Sequence, residues 1–517
     1  MLRKILKLKL KFIGGIVIAL VLLQLITAYV FGYMAQTELE TQFKRMTDSQ
    51  LIKVVKHEYN RGLFSSDENT ELAINSAAIS NILRLLPQNQ NNAESSLSGF
   101  LNQSYSIKYT THVTHGLLAA LINGDPVPSI AYAKTTIEYP DNFKKILDTF
   151  FGKKTPISIE NTIFLNKSGR YRISSPSFNY DEAVSGVKVV WGGLNWTIGY
   201  NEKVDQFKNK FSMPLFSLSA PTKGKVEINA IEYNSNTKYS VNKIKVGTTN
   251  LSLGSLEVAW KDKITFGFKA GDVIHMLTGI SATEFLNNID SLDPFDFKLG
   301  NVNYSSNSSD VDNFFKASAL VKFDSLSSNS KVYGPMNLDL SVGHIYSPAF
   351  SILADKIESL STKSESVIDE NMLNTVTKYF GPILVRNPII NLNKFELNSP
   401  DGAIKISGSA TTNNFTLDDL DEQQKFMQKL VLDINISVPK PVLSYLFIMQ
   451  MKYLLSAGNA QIDPQSAEAL TKVVNILLDS QINTWLKKGY LKNNNNSLET
   501  HMIIKDGQLS LNGVQSN

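Results

Sequence analysis

Apolar and polar residues alternate along the middle of the chain, from about Gly152 to Ile345. This period of two predicts strands with one buried face and one solvated face. We expect strands within Gly186–Tyr200, Gly224–Val246, Leu251–Ala270, Phe295–Tyr304, Ala317–Leu326 and Met336–Ile345. Turns are expected at three polar clusters: Asn234–Thr237, Ser305–Asn313 and Ser327–Ser330. Together these segments predict a large, mostly antiparallel, twisted meander.

The last third of the chain mixes helical and strand patterns. We expect helices over Asp355–Tyr379 and Pro441–Leu455, and a third from the N-cap Asp463-Pro464 to a stop at Gly489. Strand patterns fill Ile389–Ala410 and Leu430–Val438. Hairpin turns are expected at Pro400-Asp401-Gly402 and at Asp506-Gly507. The whole chain therefore predicts an α+β fold in which helices pack on one large sheet.

The N-terminus has the pattern of a membrane anchor. Arg3, Lys4, Lys7, Lys9 and Lys11 precede an uncharged run from Phe12 to Met34. A run of this length is enough to span a bilayer, and it ends in a poor cleavage site for a signal peptide. Basic residues stay on the cytoplasmic side. We therefore expect an uncleaved transmembrane signal anchor, with the chain beyond about Ala35 on the far side.

Three regions follow from this organisation. Residues 1–11 form a basic cytoplasmic tail, residues 12–34 the anchor, and residues 35–517 one β-rich domain. Within that domain, residues 35–150 are a mixed region, 151–350 the long meander, and 351–517 a helix and strand region. Thr37–Gln50 predicts a short helical stalk leaving the membrane, and Leu51–Ser66 a strand, a turn at residues 60–62 and a second strand.

Composition excludes several functions. The net charge of +4 includes the five cations before the anchor, so the rest of the chain is near neutral and no basic stripe points to nucleic acid. The chain has no cysteine, which excludes disulfides, thiolate nucleophiles and Cys-ligated metals.

The order of these pieces resembles the YdgA family of bacterial inner-membrane proteins. The residues that carry the resemblance follow the basic N-terminus and anchor: Tyr59–Ser66, His115-Gly116, Ile130–Thr136, Leu338–His344 and Asp506–Gly513. Within them, Tyr59, Arg61, Gly62, Phe64, His115, Gly116, Gly507 and Gly513 are the family-motif positions, which we interpret as structural. The resemblance implies a periplasm-facing protein of a Gram-negative envelope. It supplies no catalytic residue.

Two histidines, His112 and His115, lie three residues apart and raise the question of a metal site. Positions i and i+3 of a strand point to opposite faces, so the pair is poorly placed to bind one ion. The residues Thr111–Leu117 favour a strand end, not a helix. We expect His115 to pack or hydrogen-bond at that strand end, with Gly116 permitting the turn.

No other segment predicts catalysis. The sequence lacks the HExxH, GxSxG and GxxxxGK[ST] patterns of zinc proteases, serine hydrolases and P-loop enzymes. We therefore expect a protein that is not an enzyme, with no cofactor and no metal site.

The helix within Pro441–Leu455 has little polar face. Its apolar stretch is too short to span a membrane, so it either lies across the sheet as ordinary core or lines a groove for an acyl chain. The candidate groove residues are Leu443, Leu446, Phe447, Met449 and Leu454. Two functions remain open: an envelope protein that binds lipid or another apolar ligand in a sheet-lined groove, or a structural scaffold that binds envelope proteins or associates with itself through exposed sheet edges.

Overall fold

The computed structural model describes residues 23, 25–44, 47, 52–74, 106–262, 264–265, 291–292, 294–328, 330–362, 379–420, 422–456, 464–495 and 497–515. Strands run through almost all of these ranges. In chain order they are β1 Ile52–Arg61, β2 Ser65–Ile74, β3 Ser106–His115, β4 Ser129–Glu138, β5 Ser158–Phe164, β6 Gly169–Ser175, β7 Phe178–Asp181, β8 Lys188–Trp191, β9 Leu194–Tyr200, β10 Gln206–Ala220, β11 Gly224–Tyr239, β12 Lys245–Trp260, β13 Ile264–Thr265, β14 Ser291–Leu292, β15 Phe295–Val311, β16 Phe314–Phe323, β17 Ser325–Ser328, β18 Lys331–Tyr333, β19 Met336–Tyr346, β20 Ile389–Ser399, β21 Gly402–Thr412, β22 Leu430–Pro439, β23 Lys492–Asn494, β24 Ser497–Lys505, β25 Gln508–Leu511 and β26 Val514–Gln515.

Helices are few and lie between the strands. They are α1 (residues 25–44), α2 Ala119–Ile122, α3 Asp141–Phe151, α4 Ser347–Thr362, α5 (residues 379–384), α6 Gln423–Lys429, α7 Lys440–Ser456 and α8 Pro464–Lys487, with a 3₁₀ turn at Leu417–Leu420. Among the described residues, no helix is both long enough and apolar enough to cross a bilayer. Residues 12–22 and 24 of the uncharged N-terminal run lie outside that described part.

The described strands pair into one antiparallel sheet of 24 strands, apart from the small hairpin of β13 and β14. The main path follows the chain from β1 to β6, continues through β9, β10, β11, β12, β15, β16, β19, β20, β21 and β22, and ends with β24, β25 and β26. The predicted antiparallel meander is confirmed. Its strand pairing runs unbroken from the first described strand to the last.

Several local predictions agree with the structure. The apolar segment predicted as a helix is α7, and the helix predicted after Asp463-Pro464 is α8. The Asp506-Gly507 turn joins β24 to β25, and both residues have positive φ, at 53° and 74°. The predicted helix Asp355–Tyr379 begins earlier, at Ser347, and residues 363–378 lie outside the described part.

One of the three predicted polar turns was placed wrongly, and the other two contain the real turn but begin too early. Asn234–Thr237 lies inside β11, and most of Ser305–Asn313 lies inside β15. The chain turns later, at residues 240–244 and at Asp312-Asn313, where both residues have positive φ. Ser327 likewise belongs to β17. Polar side chains are tolerated in these strands because the ladder uses backbone groups and neighbours such as Asn209 and Ser235 hydrogen-bond across it, at 3.0 Å.

The sheet curls around α1 at its N-terminal end. Phe43 of α1 stacks on His57 of β1, with ring centroids 3.8 Å apart. Gln42, the residue before Phe43 in α1, hydrogen-bonds through Nε2 to the Tyr200 hydroxyl of β9 at 3.0 Å. A flat sheet would separate β1 from β9 by six strand spacings, about 29 Å. A helix with its side chains is only about 10–12 Å wide. The strands between them must therefore wrap the helix.

The best-packed core lies under α1. Val113, Ala131 and Ile163 are fully buried there, against Ala35 and Leu39 of the helix. Two smaller clusters lie further along the chain. One joins Ala349, Leu353 and Ile383, and the other joins Leu478, Ile482 and Leu498. Residues 37–44 of the segment predicted as a stalk thus belong to a helix that packs on the sheet, and residues 45, 46 and 48–50 lie outside the described part.

Candidate functional site

His115 is a structural residue at the end of β3. Its side chain is 2% exposed, with Nδ1 3.0 Å from the carbonyl oxygen of Ala28 and Nε2 3.1 Å from the Ser66 hydroxyl. Burial lowers the pKa of His115, which favours the neutral imidazole in this place. His115 thus fixes the N-terminal part of α1 to the sheet.

His112 lies on the other face of β3, as the strand geometry predicts. It is exposed and faces Asp67 on the neighbouring strand, with 2.8 Å between Nδ1 and Oδ1. The two histidines therefore do not converge. Among the described residues, no group of three His, Cys, Asp or Glu side chains is placed to hold a metal ion.

The other family-motif residues shape turns or contact α1. The Tyr59 ring packs against the core under α1, and the Arg61 guanidinium lies over the Tyr29 and Tyr33 rings at 5.9 and 5.7 Å. A Cβ at Gly62 would lie 2.6 Å from the Ser65 carbonyl oxygen, so only glycine fits. Gly116, Gly507 and Gly513 have positive φ, and Phe64 is exposed. These contacts are structural in character.

Polar groups fill the interface beneath α1. The Gln42 Oε1 atom accepts hydrogen bonds from Asn161 Nδ2 at 3.2 Å and from the Tyr171 hydroxyl at 2.6 Å. Burial raises the pKa of Tyr171 and of Tyr200. Glu68 also lies here, and burial raises the pKa of its carboxyl. The hydrogen bonds of the Gln42 side chain in this network go to the protein's own groups.

The strongest candidate for a functional site is a row of apolar side chains that crosses the sheet. Successive cross-strand pairs place one residue from each of ten neighbouring strands in register. We call this set the apolar row: Trp196, Phe211, Tyr233, Leu251, Tyr304, Val321, Leu338, Phe395, Ile406 and Ile436. At the usual strand spacing the row is about 43 Å wide.

A second row runs beside the first on the same face. Each of its residues lies two positions from a member of the apolar row on the same strand. They are Met213, Ile231, Leu253, Val302, Phe323, Met336, Leu397 and Ile404. None of the residues in either row is fully buried, and Leu251 is 37% exposed. Between residues 201 and 346, the buried apolar side chains of the described part are Ile244 and Val246, which keep 9% and 5% of their surface exposed. In the part of the chain that the structure describes, the side chains of both rows therefore keep exposed surface.

The opposite face of the same strands is polar. A shallow recess of about 260 Å³ opens there. Seven of its ten lining residues are polar and alternate in sequence with members of the apolar row: Glu232, Asn234, Asn250, Ser252, Asn303, Ser305 and Lys322. The other three are Leu251, Tyr304 and Leu320. The sheet is thus two-sided, and only one side offers a continuous apolar surface.

Helices cover this apolar face at both ends of the sheet. The apolar row extends in register through Ile173 and Ile159 towards Thr135, Thr111 and Glu68 in the strands wrapped around α1. At the other end Leu498, which pairs with Val438 on this face, packs against Leu478 and Ile482 of α8. The open rows therefore lie between two helical caps.

The five candidate groove residues of α7 are divided by the structure. Leu443 is half-buried and packs against the cluster of Leu478, Ile482 and Leu498. Leu446 and Phe447 are 54% and 46% exposed. The side chains of Met449 and Leu454 lie outside the described part. The helix covers one end of the apolar face through Leu443 and presents Leu446 and Phe447 outwards.

Sequence reasoning did not find the apolar row. Each strand shows the alternation, but the row exists only because the register of ten strands brings the same phase to one line. Consecutive hairpins with short turns were the available signal, and misplaced turns at Asn234–Thr237 and Ser305–Asn313 hid it.

Comparison with known protein families decides the classification. Residues 8–517 match the family described as bacterial protein of unknown function (DUF945). The chain belongs to this family. Among curated proteins, no match was found. The family carries no assigned chemistry, so function has to be argued from the apolar face.

Proposed function

We propose that this YdgA-like protein is a non-enzymatic component of the bacterial envelope that binds the acyl chains of lipid along the apolar and second rows. In this proposal an N-terminal anchor holds it in the inner membrane, and the sheet lies in the periplasm. The uncharged run Phe12–Met34 and the five preceding cations support this placement.

The single observation that carries the proposal is the open apolar row. Contiguous apolar surfaces of this extent are rare on soluble proteins and mark places where another apolar partner binds. Burying one methylene group contributes about 0.8 kcal/mol. A chain of ten or more methylenes lying along the row therefore gains binding free energy from burial without any polar contact. Rows of Leu, Val, Ile, Phe and Tyr side chains suit a flexible ligand because they require no fixed hydrogen-bond geometry.

The test compares the two faces of the same strands. In one variant Leu251→Asp and Leu338→Asp place two charges in the apolar row. In the matched control, Ser252→Asp and Asn337→Asp place two charges at the adjacent positions on the polar face. Each protein is purified from membranes in mild detergent, and bound lipid is measured by mass spectrometry alongside thermal melting.

We expect the row variant to lose most of its bound lipid and the control to keep it, with similar melting temperatures. Equal lipid in all three proteins would overturn the proposal. If wild-type protein carries no lipid but retains an envelope protein that only the row variant releases, the scaffold function replaces lipid binding.

A further inference from the structure

An exposed apolar patch lies in the turns at one end of the strands, beside the N-terminal end of α1. It consists of two residues in the β1–β2 turn and three in the β3–β4 connection, which we call the turn patch: Leu63, Phe64, Leu118, Leu121 and Ile122. All five are at least 44% exposed, and Ile122 reaches 70%. Isolated exposed leucines are ordinary, but five in two adjoining turns call for a partner.

The two segments adjoin because of strand pairing. Ser65 pairs with Thr114, and the His115 amide donates a hydrogen bond to the Phe64 carbonyl oxygen at 3.0 Å. The chain then leaves β3 through Gly116 into α2, which carries Leu121 and Ile122. Both groups of apolar side chains thus lie at the same end of the strands.

Helix α1 runs towards this end of the strands as its residue numbers decrease. Phe43 contacts His57, whereas Tyr29 and Tyr33 contact Arg61, the last residue of β1 before the turn. Ala28 is held against His115 at the end of β3. Residues 25–27, the first turn of α1, therefore lie beside the turn patch, and Ile26 is 62% exposed.

The number of uncharged residues before Ala28 limits how far a membrane can lie from the turn patch. Part of the uncharged run, from Ala28 to Met34, belongs to the helix that packs on the domain. About 16 uncharged residues, Phe12 to Thr27, remain before it. As a helix they would span about 24 Å, less than the roughly 30 Å hydrocarbon core of a bilayer. No spacer remains between domain and membrane.

We propose that the turn patch is a membrane-docking surface that inserts into the interfacial region of the same bilayer that holds the anchor. Tyr29, Tyr33 and Arg61 lie beside it, and tyrosine is enriched at this depth because its ring is apolar and its hydroxyl polar. The inference rests on the membrane anchoring in the proposed function. It adds that the domain lies flush on the lipid surface and not at the end of a stalk.

The chain has no cysteine, so single labels can be placed without background. Full-length Phe64→Cys and Ile122→Cys proteins, each carrying an environment-sensitive fluorophore, are reconstituted in phosphatidylethanolamine and phosphatidylglycerol vesicles. Val184→Cys is the matched control. Val184 is 96% exposed, and it lies in the turn between β7 and β8 at the opposite end of the strands. Quenching by lipids with a nitroxide near the headgroup is compared with quenching by iodide in water.

Labels at residues 64 and 122 should lose fluorescence to the shallow nitroxide and resist iodide, and the label at residue 184 should behave in the opposite way. Protein that sediments with the vesicles while all three labels quench with iodide overturns the docking surface and leaves the anchor intact. Protein that does not sediment with vesicles overturns the anchor, and the docking surface with it.

Discussion

Two regions of the sheet differ in what lies against the same face. In β1–β6 and β9 the face is wrapped around α1, and residues such as Val113, Ala131 and Ile163 have no exposed surface. In β10–β21 the face bears larger apolar side chains, including Phe211, Tyr304 and Phe395, and none of the residues in the two rows is fully buried.

The side chains explain what each region accepts. Beneath α1 the face uses small residues, Ala131 and Ala133, and polar residues that bond Gln42 in defined geometry. Such a surface suits one helix in one position. The open rows offer apolar area with few polar atoms, which suits partners of variable shape. The presence of a helix over the face, and not the alternation within a strand, therefore decides whether the apolar side chains are buried or exposed.

The largest expected effect comes from removing the same side chain in both regions. Ile163→Ala should lower the free energy of unfolding by about 2–5 kcal/mol, because it leaves a cavity in close-packed core. Ile231→Ala, in the second row, should cost much less, since that side chain is already open to one side. Denaturant unfolding of the two variants measures the difference. Equal losses would mean that the second row is ordinary core.

An intermediate effect is expected at the contact between α1 and His115. A Cβ on Gly32 would lie 2.8 Å from Cε1 of the His115 ring. Gly32→Ala should therefore push the helix from the sheet and cost about 1–3 kcal/mol, despite the better helix propensity of alanine. Thermal melting is compared with Gln36→Ala, a partly exposed position of the same helix. A stabilised Gly32→Ala protein would show that α1 is not seated on His115.

The smallest effect is a dependence on pH. Burial holds the pKa of His115 below its ordinary value of 6.5, so its hydrogen bonds stabilise the fold fully above that pH and less as pH falls below it. His115→Gln should cost about 1 kcal/mol at pH 7.5, and the difference from wild type should shrink in acid. The exposed His112→Gln serves as the control. A difference that stays constant from pH 7.5 to 5 would contradict the neutral, buried imidazole.

Local chemistry predicted much of the fold but not the site. Strand alternation, the Asp506-Gly507 turn and the Pro464 helix start are all encoded within a few residues, and the structure agrees with them. The apolar row depends on register across ten strands, which no single segment specifies. The packing of α1 depends on a contact between Ala28 and His115, 87 residues apart in sequence. Polar strands such as Asn234–Thr237 were missed because their partners also lie on other strands.

The outer edge of β1 has a consequence for how many copies of the chain can join. Among the described residues β1 pairs with β2 alone, and its ladder shifts register between Val54 and Lys56. At the far end β26 is only two residues long. An irregular edge with lysines and a very short edge are both poor templates for another strand. We therefore expect the sheet to end within one molecule, so that a single chain sets the width of its apolar surface.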